Sequence, residues 1–389
     1  MNRENIRNGL LAFVGLGALT AYLLACASFS PDDSKIVFPA YDRVSGHIGV
    51  ARYDRKARTT EQLFVLTTGS ETLKNGFALR PQWSPDGRYV IVAWPGDGTN
   101  DTLCLQALPV GQAGPTRLLT VPGIEKAAEK LSLPLALAGP YLFLAGKSNV
   151  VRLDLETGVT KTNSMPGELQ LYASPTGDRV YYAGKGVGQA GTFEVGRVDA
   201  DRLTLTPLLS LPSDSITDAG LLGISRDGRR MAFLTEKDKE SAVVVYRGDR
   251  LEKSLQLGDG EPRLKLGYVQ WSPDGQTLYA PYRHQAANAT NVSFGVLEMP
   301  LNGRPMRRVP VLAGLGDGDE SDILFFQIGL SHDGKTIAVA STYLMGDEKP
   351  HLRPEDYALF LVDLSSPKRP ILRVRLPLPQ PPRAGSSRS

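Results

Sequence analysis

A five-residue element, Trp-Ser-Pro-Asp-Gly, occupies 83–87 and returns at 271–275. Looser copies stand at 29–33 (Phe-Ser-Pro-Asp-Asp), 173–177 (Ala-Ser-Pro-Thr-Gly), 224–228 (Ile-Ser-Arg-Asp-Gly) and 330–334 (Leu-Ser-His-Asp-Gly). Each copy is followed by a short apolar run, such as Tyr89-Val90-Ile91-Val92-Ala93 or Thr336-Ile337-Ala338-Val339-Ala340. Proline presets φ for the first turn position, aspartate folds its carboxylate back onto the backbone, and glycine takes φ > 0. Pro85, Asp86, Gly87, Asp227, Gly228, Pro273, Asp274, Gly275, Asp333 and Gly334 are therefore structural turn residues. Strands joined this tightly pair as antiparallel hairpins.

The turn serines fall at 30, 84, 174, 225, 272 and 331, so neighbouring copies lie 47–59 residues apart except across one gap of 90. Inside that gap, Leu135–Gly146 reads as strand, Gly139-Pro140 turn, strand. Counting it gives seven units of about 50 residues, a period that marks repeat architectures. Each unit continues with a third strand (for example Thr102–Leu108 or Thr192–Val198) and a fourth (Glu61–Leu66 or Leu251–Leu257). The second strands are apolar on both faces, so each sheet needs a neighbour on either side. Burial is worth about 1.5–3 kcal/mol per large apolar side chain, and stacking in a ring secures it while leaving only short edges. The expected fold is all-β: a seven-bladed β-propeller of four-stranded antiparallel blades over 27–376, preceded by one N-terminal hydrophobic helix and followed by a disordered Pro/Arg/Ser-rich tail at 377–389. The 40 glycines and 28 prolines suit so many turns.

The turn copies with their following strands resemble the WD40-like, PD40-type repeats of TolB-type β-propellers, which also occur in propellers of the prolyl oligopeptidase group. The resemblance runs from about residue 27 to 376, is strongest at 83–87 and 271–275, and rests on hydrophobic pattern alone at 135–146. It implies a propeller. It does not carry over a TolB role, because the first repeat begins at residue 29, with no room for the α/β domain that precedes the propeller in that family.

Arg3 and Arg7 precede a charge-free stretch, 8–31, whose apolar part is long enough to cross a bilayer as a helix. Positive charge before it keeps that end in the cytoplasm, so the remainder is expected outside it. Leu23-Leu24-Ala25-Cys26 resembles the lipobox of bacterial lipoproteins, which implies lipidation at Cys26; the alternative is an uncleaved anchor. Residues 1–26 are thus read as a signal peptide or membrane anchor, and the propeller as a membrane-anchored domain of the bacterial cell envelope, in the periplasm or outside the cell.

The residues that carry chemistry elsewhere have structural readings here. Ser225 lacks the second glycine and following helix of a nucleophile elbow. The Gly-rich stretch 184–191 lacks the Gly-Lys-Ser/Thr of a phosphate loop. His47, His284, His332 and His351 have no zinc-site spacing, and Cys104 sits in an apolar run. The acidic loop with Asp317, Asp319, Glu320 and Asp322 is oxygen-rich without EF-hand spacing, so no cofactor is expected, a structural calcium there being the weaker alternative. A net charge of +3 with scattered arginines excludes a nucleic-acid surface. Trp83 and Trp271 read as packing residues between blades. The function expected is non-catalytic: a binding or scaffolding module for a protein, peptide or glycan on one propeller face. The alternative is a propeller enzyme of lactonase, lyase or hydrolase type with its site at the central channel.

Overall fold

In a computed structural model the described residues are 27–42, 47–66, 80–95, 102–111, 117–122, 135–146, 148–165, 167, 169–216, 221–237, 240–257, 265–266, 269–285, 292–315, 328–340 and 358–375. They form seven antiparallel sheets, each built from one contiguous stretch of chain and ordered from inner to outer strand as the sequence runs. The inner strands are Ser28–Phe29, Arg80–Trp83, Ala136–Ala138, Gln170–Ala173, Leu221–Ile224, the pair Lys265–Leu266 and Gln270–Trp271, and Ile328–Leu330. Because blade 6 carries its inner strand in two pieces, 29 strands are described where the four-per-blade count gives 28. Blade 1 keeps an inner strand of only two residues. Among the described residues there is one 3-10 turn, Ser213–Ser215, and no helix long and apolar enough to cross a membrane. The hydrophobic helix expected over 1–26, Cys26, the acidic residues Asp317 to Asp322 and the tail 377–389 lie outside the described residues.

The second strands are buried on both faces: Ile36, Val37 and Phe38 in blade 1, and Val90, Ile91, Val92 and Ala93 in blade 2, are all 0 % exposed. Apolar clusters fill the spaces between adjacent blades. Trp83 packs with Val37 and Val50 of blade 1 and Val90 and Val92 of its own blade. Trp271 packs against Leu222, Ala232 and Val243 of blade 5.

Among the described residues no strand is exchanged between the first and last blades, and side chains join them across the seam. Phe29, Ile36, Phe38 and Tyr53 of blade 1 share a buried cluster with Ala338, Ala340, Leu359 and Leu361 of blade 7. Gly329 lies so close to Ala27 that a Cβ there would sit 2.3 Å from its carbonyl oxygen. Arg55 donates to the Thr336 hydroxyl at 2.8 Å across the same seam. Asp33 is the clasp. Its carboxylate accepts the backbone N–H of His332 at 2.8 Å and of Asp333 at 2.9 Å, and lies 2.8 Å from His332 Nδ1.

Candidate functional site: the turn-side mouth of the channel

The turns between first and second strands share one geometry. In five of them the serine Oγ donates to the aspartate Oδ1 at 2.5–2.7 Å, as in Ser30–Asp32, Ser84–Asp86, Ser225–Asp227, Ser272–Asp274 and Ser331–Asp333. The same serine oxygen accepts the N–H five residues on, for example Tyr89 at 3.0 Å and Thr336 at 2.9 Å. The aspartate accepts the N–H two residues on, as from Arg88, Arg229 and Gln276, each at 3.0 Å. The turn closes by a backbone bond from the fourth residue to the serine carbonyl, 2.8 Å at both Gly228 and Gly275. Gly87, Gly228, Gly275 and Gly334 have φ of 72°, 69°, 65° and 71°. At 174–178 the aspartate slot holds Thr176, and Asp178 takes the Ser174 hydroxyl at 2.6 Å instead.

These bonds hold the turn carboxylates ionised. The Ser30 hydroxyl, helped by Ser34, pulls Asp32 down to about 2. The Ser272 hydroxyl lowers Asp274. Burial alone would raise Asp86, Asp227 and Asp333, but the serine hydroxyl and backbone N–H groups outweigh it and all three are lowered.

The turns also pack on one another. The second residue of one turn meets the fourth residue of another: Pro31 touches Gly87, Pro85 faces Gly177, and Pro273 faces Gly334. A Cβ at Gly177 or Gly334 would lie 2.5 Å from the facing proline ring. Glycine is needed there for space as well as for φ. At the seam the pattern changes chemistry but not place: His332 stands in the proline position and Asp33, with φ of 57°, in the glycine position.

The collar surrounds a cavity of about 410 Å³ at the channel mouth. Each inner strand is the end strand of its sheet, so it is hydrogen-bonded within the sheet on one side only. Polar groups of the lining are largely spent on stitching blades together. The Gln82 amide exchanges two bonds with the Leu135 backbone, at 3.1 and 3.0 Å. The buried Tyr172 hydroxyl donates to Leu221 O at 3.0 Å, Trp83 N donates to Ser28 Oγ at 3.2 Å, and Val269 N donates to Leu222 O at 3.1 Å. The indole N–H groups of Trp83 and Trp271 are buried and find no acceptor among the described residues.

Pro85 and Pro273 line this cavity, whereas Asp86, Asp227, Asp274 and Asp333 do not. Gly87, Gly228, Gly275 and Gly334 serve the turns behind it. Among the described residues no group of three or more His, Cys, Asp or Glu side chains is placed to hold a metal ion. Sequence reasoning missed the two residues that set the collar apart from a ring of prolines, the cationic Arg226 and His332. Their signal was available: they are the two copies in which the second turn position departs from proline.

The fold and its channel define a seven-bladed β-propeller with a collared, turn-side mouth. No family model matches the chain, and no curated protein matches it in sequence. Among solved structures it is similar to a chain of the mitotic checkpoint complex, at 12 % identity and a TM-score of 0.51 over 85 % of this chain and 90 % of that one. It is likewise similar to a putative 6-phosphogluconolactonase from Bacteroides uniformis, at 16 % identity and a TM-score of 0.50 over 87 % and 94 %. TolB from Acinetobacter baumannii is similar at 15 % identity and a TM-score of 0.46 over 72 % and 65 %. At these identities the likeness is one of fold.

Proposed function

We propose that this chain is a non-catalytic binding module, a membrane-tethered extracytoplasmic propeller whose turn-side channel mouth docks a protein, peptide or glycan. The composition of the cavity wall carries this reading. Proline rings, inner-strand backbone and apolar side chains dominate it, and no Asp or Glu stands among the described lining residues. Three of the four serines that line it spend their hydroxyls inside their own turns, Ser84 and Ser331 donating to Asp86 and Asp333 and Ser174 to Asp178, and the Ser28 oxygen accepts the Trp83 N–H. A hydrolytic site needs a nucleophile with a base in hydrogen-bond reach, or a metal with an open position. A wall of rigid, weakly hydrated surface suits contact recognition instead.

The test is mild crosslinking and pull-down from envelope fractions with the full chain and with a Pro273→Glu variant, beside turnover assays on lactones, glycosides and peptides with and without chelator. Capture of a partner that the variant loses, without turnover, supports the module. Chelator-sensitive hydrolysis overturns it. Tethering rests on the basic residues Arg3 and Arg7, the apolar stretch after them and Cys26. Cys26→Ser is expected to move the protein from the membrane to the soluble fraction or to block processing; unchanged fractionation and mature mass refute lipidation.

A further inference from the structure

The collar is not uniform. Of the residues in the second turn position that line the mouth, Pro31, Pro85, Pro175 and Pro273 are apolar, while Arg226 and His332 are not. Arg226 is exposed, and its Nη1 reaches the His332 carbonyl at 3.4 Å, so the guanidinium of blade 5 lies across blade 6 toward blade 7. Among the described residues it has no carboxylate partner. The nearest candidates are engaged elsewhere. Asp227, next in sequence, is bound to the Ser225 hydroxyl and the Arg229 N–H, and the charges that lower it are those of Arg230 and Arg229. Asp33 is spent on the His332 and Asp333 backbone and on the His332 ring. Arg226 is therefore the one permanently charged side chain among the described residues of the cavity lining.

A guanidinium without a carboxylate partner, at the rim of a cavity whose described lining holds no Asp or Glu, sets a positive potential that little in the wall cancels. Its planar fork matches a carboxylate with two parallel hydrogen bonds. We propose that the mouth is a carboxylate-binding site. Arg226 takes the anionic group, and the apolar body of the same ligand rests on the prolines of the collar. The inference rests on the mouth being the docking surface. One cation fits a monoanion, either a small organic acid or the C-terminal carboxylate of a peptide.

Titration calorimetry on the full chain, with phenylacetate, N-acetylphenylalanine and N-acetylphenylalanine amide as probes, tests it. Saturable binding of either acid, at least tenfold weaker for the amide and in Arg226→Gln and Arg226→Pro, supports the site. Proline is the residue carried by four sister turns, so Arg226→Pro keeps the fold, which an unchanged melting temperature verifies. Preference for phenylacetate points to a free acid, and preference for N-acetylphenylalanine over phenylacetate points to a chain terminus. Absence of saturable binding by both acids, or equal binding by the variants, overturns the proposal. If a macromolecular partner is captured by wild type and by Arg226→Gln alike but lost in Pro273→Glu, the docking mouth stands and the carboxylate site falls.

Discussion

Asp33→Gly separates two effects of opposite sign at the seam. Asp33 has φ of 57°, in the region where a side chain costs about 1–2 kcal/mol and glycine costs little. Judged by backbone alone, the substitution restores the residue of the sister turns and stabilises by about 1 kcal/mol. Judged by contacts, it removes a carboxylate whose side chain is 14 % exposed and which accepts two backbone N–H groups from blade 7. Hydrogen bonds to a charged group are worth about 1.5–3 kcal/mol each, and loss of the acceptor leaves both donors unmet. Two of them give about 3–6 kcal/mol, and subtracting the backbone gain with partial solvation leaves a net loss of about 2–4 kcal/mol. At the low end of the scaling for a chain of this size, calorimetry is expected to show a melting temperature lower by about 3–8 °C. His332→Ala keeps both N–H donors and loses only the ring contact, so it is expected to cost less than Asp33→Gly. A melting temperature for Asp33→Gly equal to or above wild type would show that the clasp carries no stability and that the apolar cluster and the Arg55–Thr336 bond close the ring without it.

Gly334→Ala is expected to lose about 2–5 kcal/mol in urea unfolding, since it combines φ of 71° with a Cβ 2.5 Å from Pro273 Cδ; an unchanged midpoint would sink the collar packing. Arg369→Ala removes the cation that bonds Glu298 at 2.6 Å between blades 7 and 6, leaving a carboxylate 8 % exposed without its partner, and is expected to cost about 3–5 kcal/mol by the same assay. Acid should loosen the turns: Asp32 falls from about 3.9 unfolded to about 2 folded, so its contribution is complete above pH 4 and lost as pH drops through about 2. The lowered Asp86, Asp227, Asp274 and Asp333 act in the same direction, and a urea midpoint at pH 2.5 no lower than at pH 5 would contradict this.

The parts of the fold that were legible are local. Strand, turn and strand are set within about a dozen residues, so the recurring Ser-Pro-Asp-Gly and the apolar runs after it specify hairpins, and their count specifies blades. Blade 3 shows how far this reaches: its Gly139-Pro140 turn has lost Ser and Asp, and the apolar runs of Ala136–Ala138 and Tyr141–Ala145 still mark its first hairpin. What was not legible joins residues far apart. The Gln82–Leu135 stitch spans 53 positions, Tyr172–Leu221 spans 49, and the Asp33–His332 clasp spans 299. No periodicity reports such contacts, because they are single departures from the repeat rather than the repeat itself. The role of the turn serine is likewise not legible from its recurrence alone. The serine both donates to the aspartate and accepts a strand N–H, which makes it the centre of the turn rather than an accompaniment.

Departures from the repeat are where this chain carries information beyond its architecture. A ring of seven blades, each built from one contiguous stretch of chain, has one seam that differs from the other six interfaces, because its two sides are distant in sequence. Asp33 replaces the turn glycine there, and His332 replaces the proline that would face it. The two substitutions are complementary, since a carboxylate is useless in the glycine slot unless free N–H donors face it, and proline in the other slot would remove the His332 donor. Arg226 is a further departure, two blades before the seam, and its guanidinium leans on the His332 carbonyl. The seam and the charged arc of the mouth are therefore contiguous. Locking the ring and charging its mouth draw on the same slots of the turn, so a variant that returns all three residues to the repeat should unlock the seam and neutralise the mouth while keeping every blade.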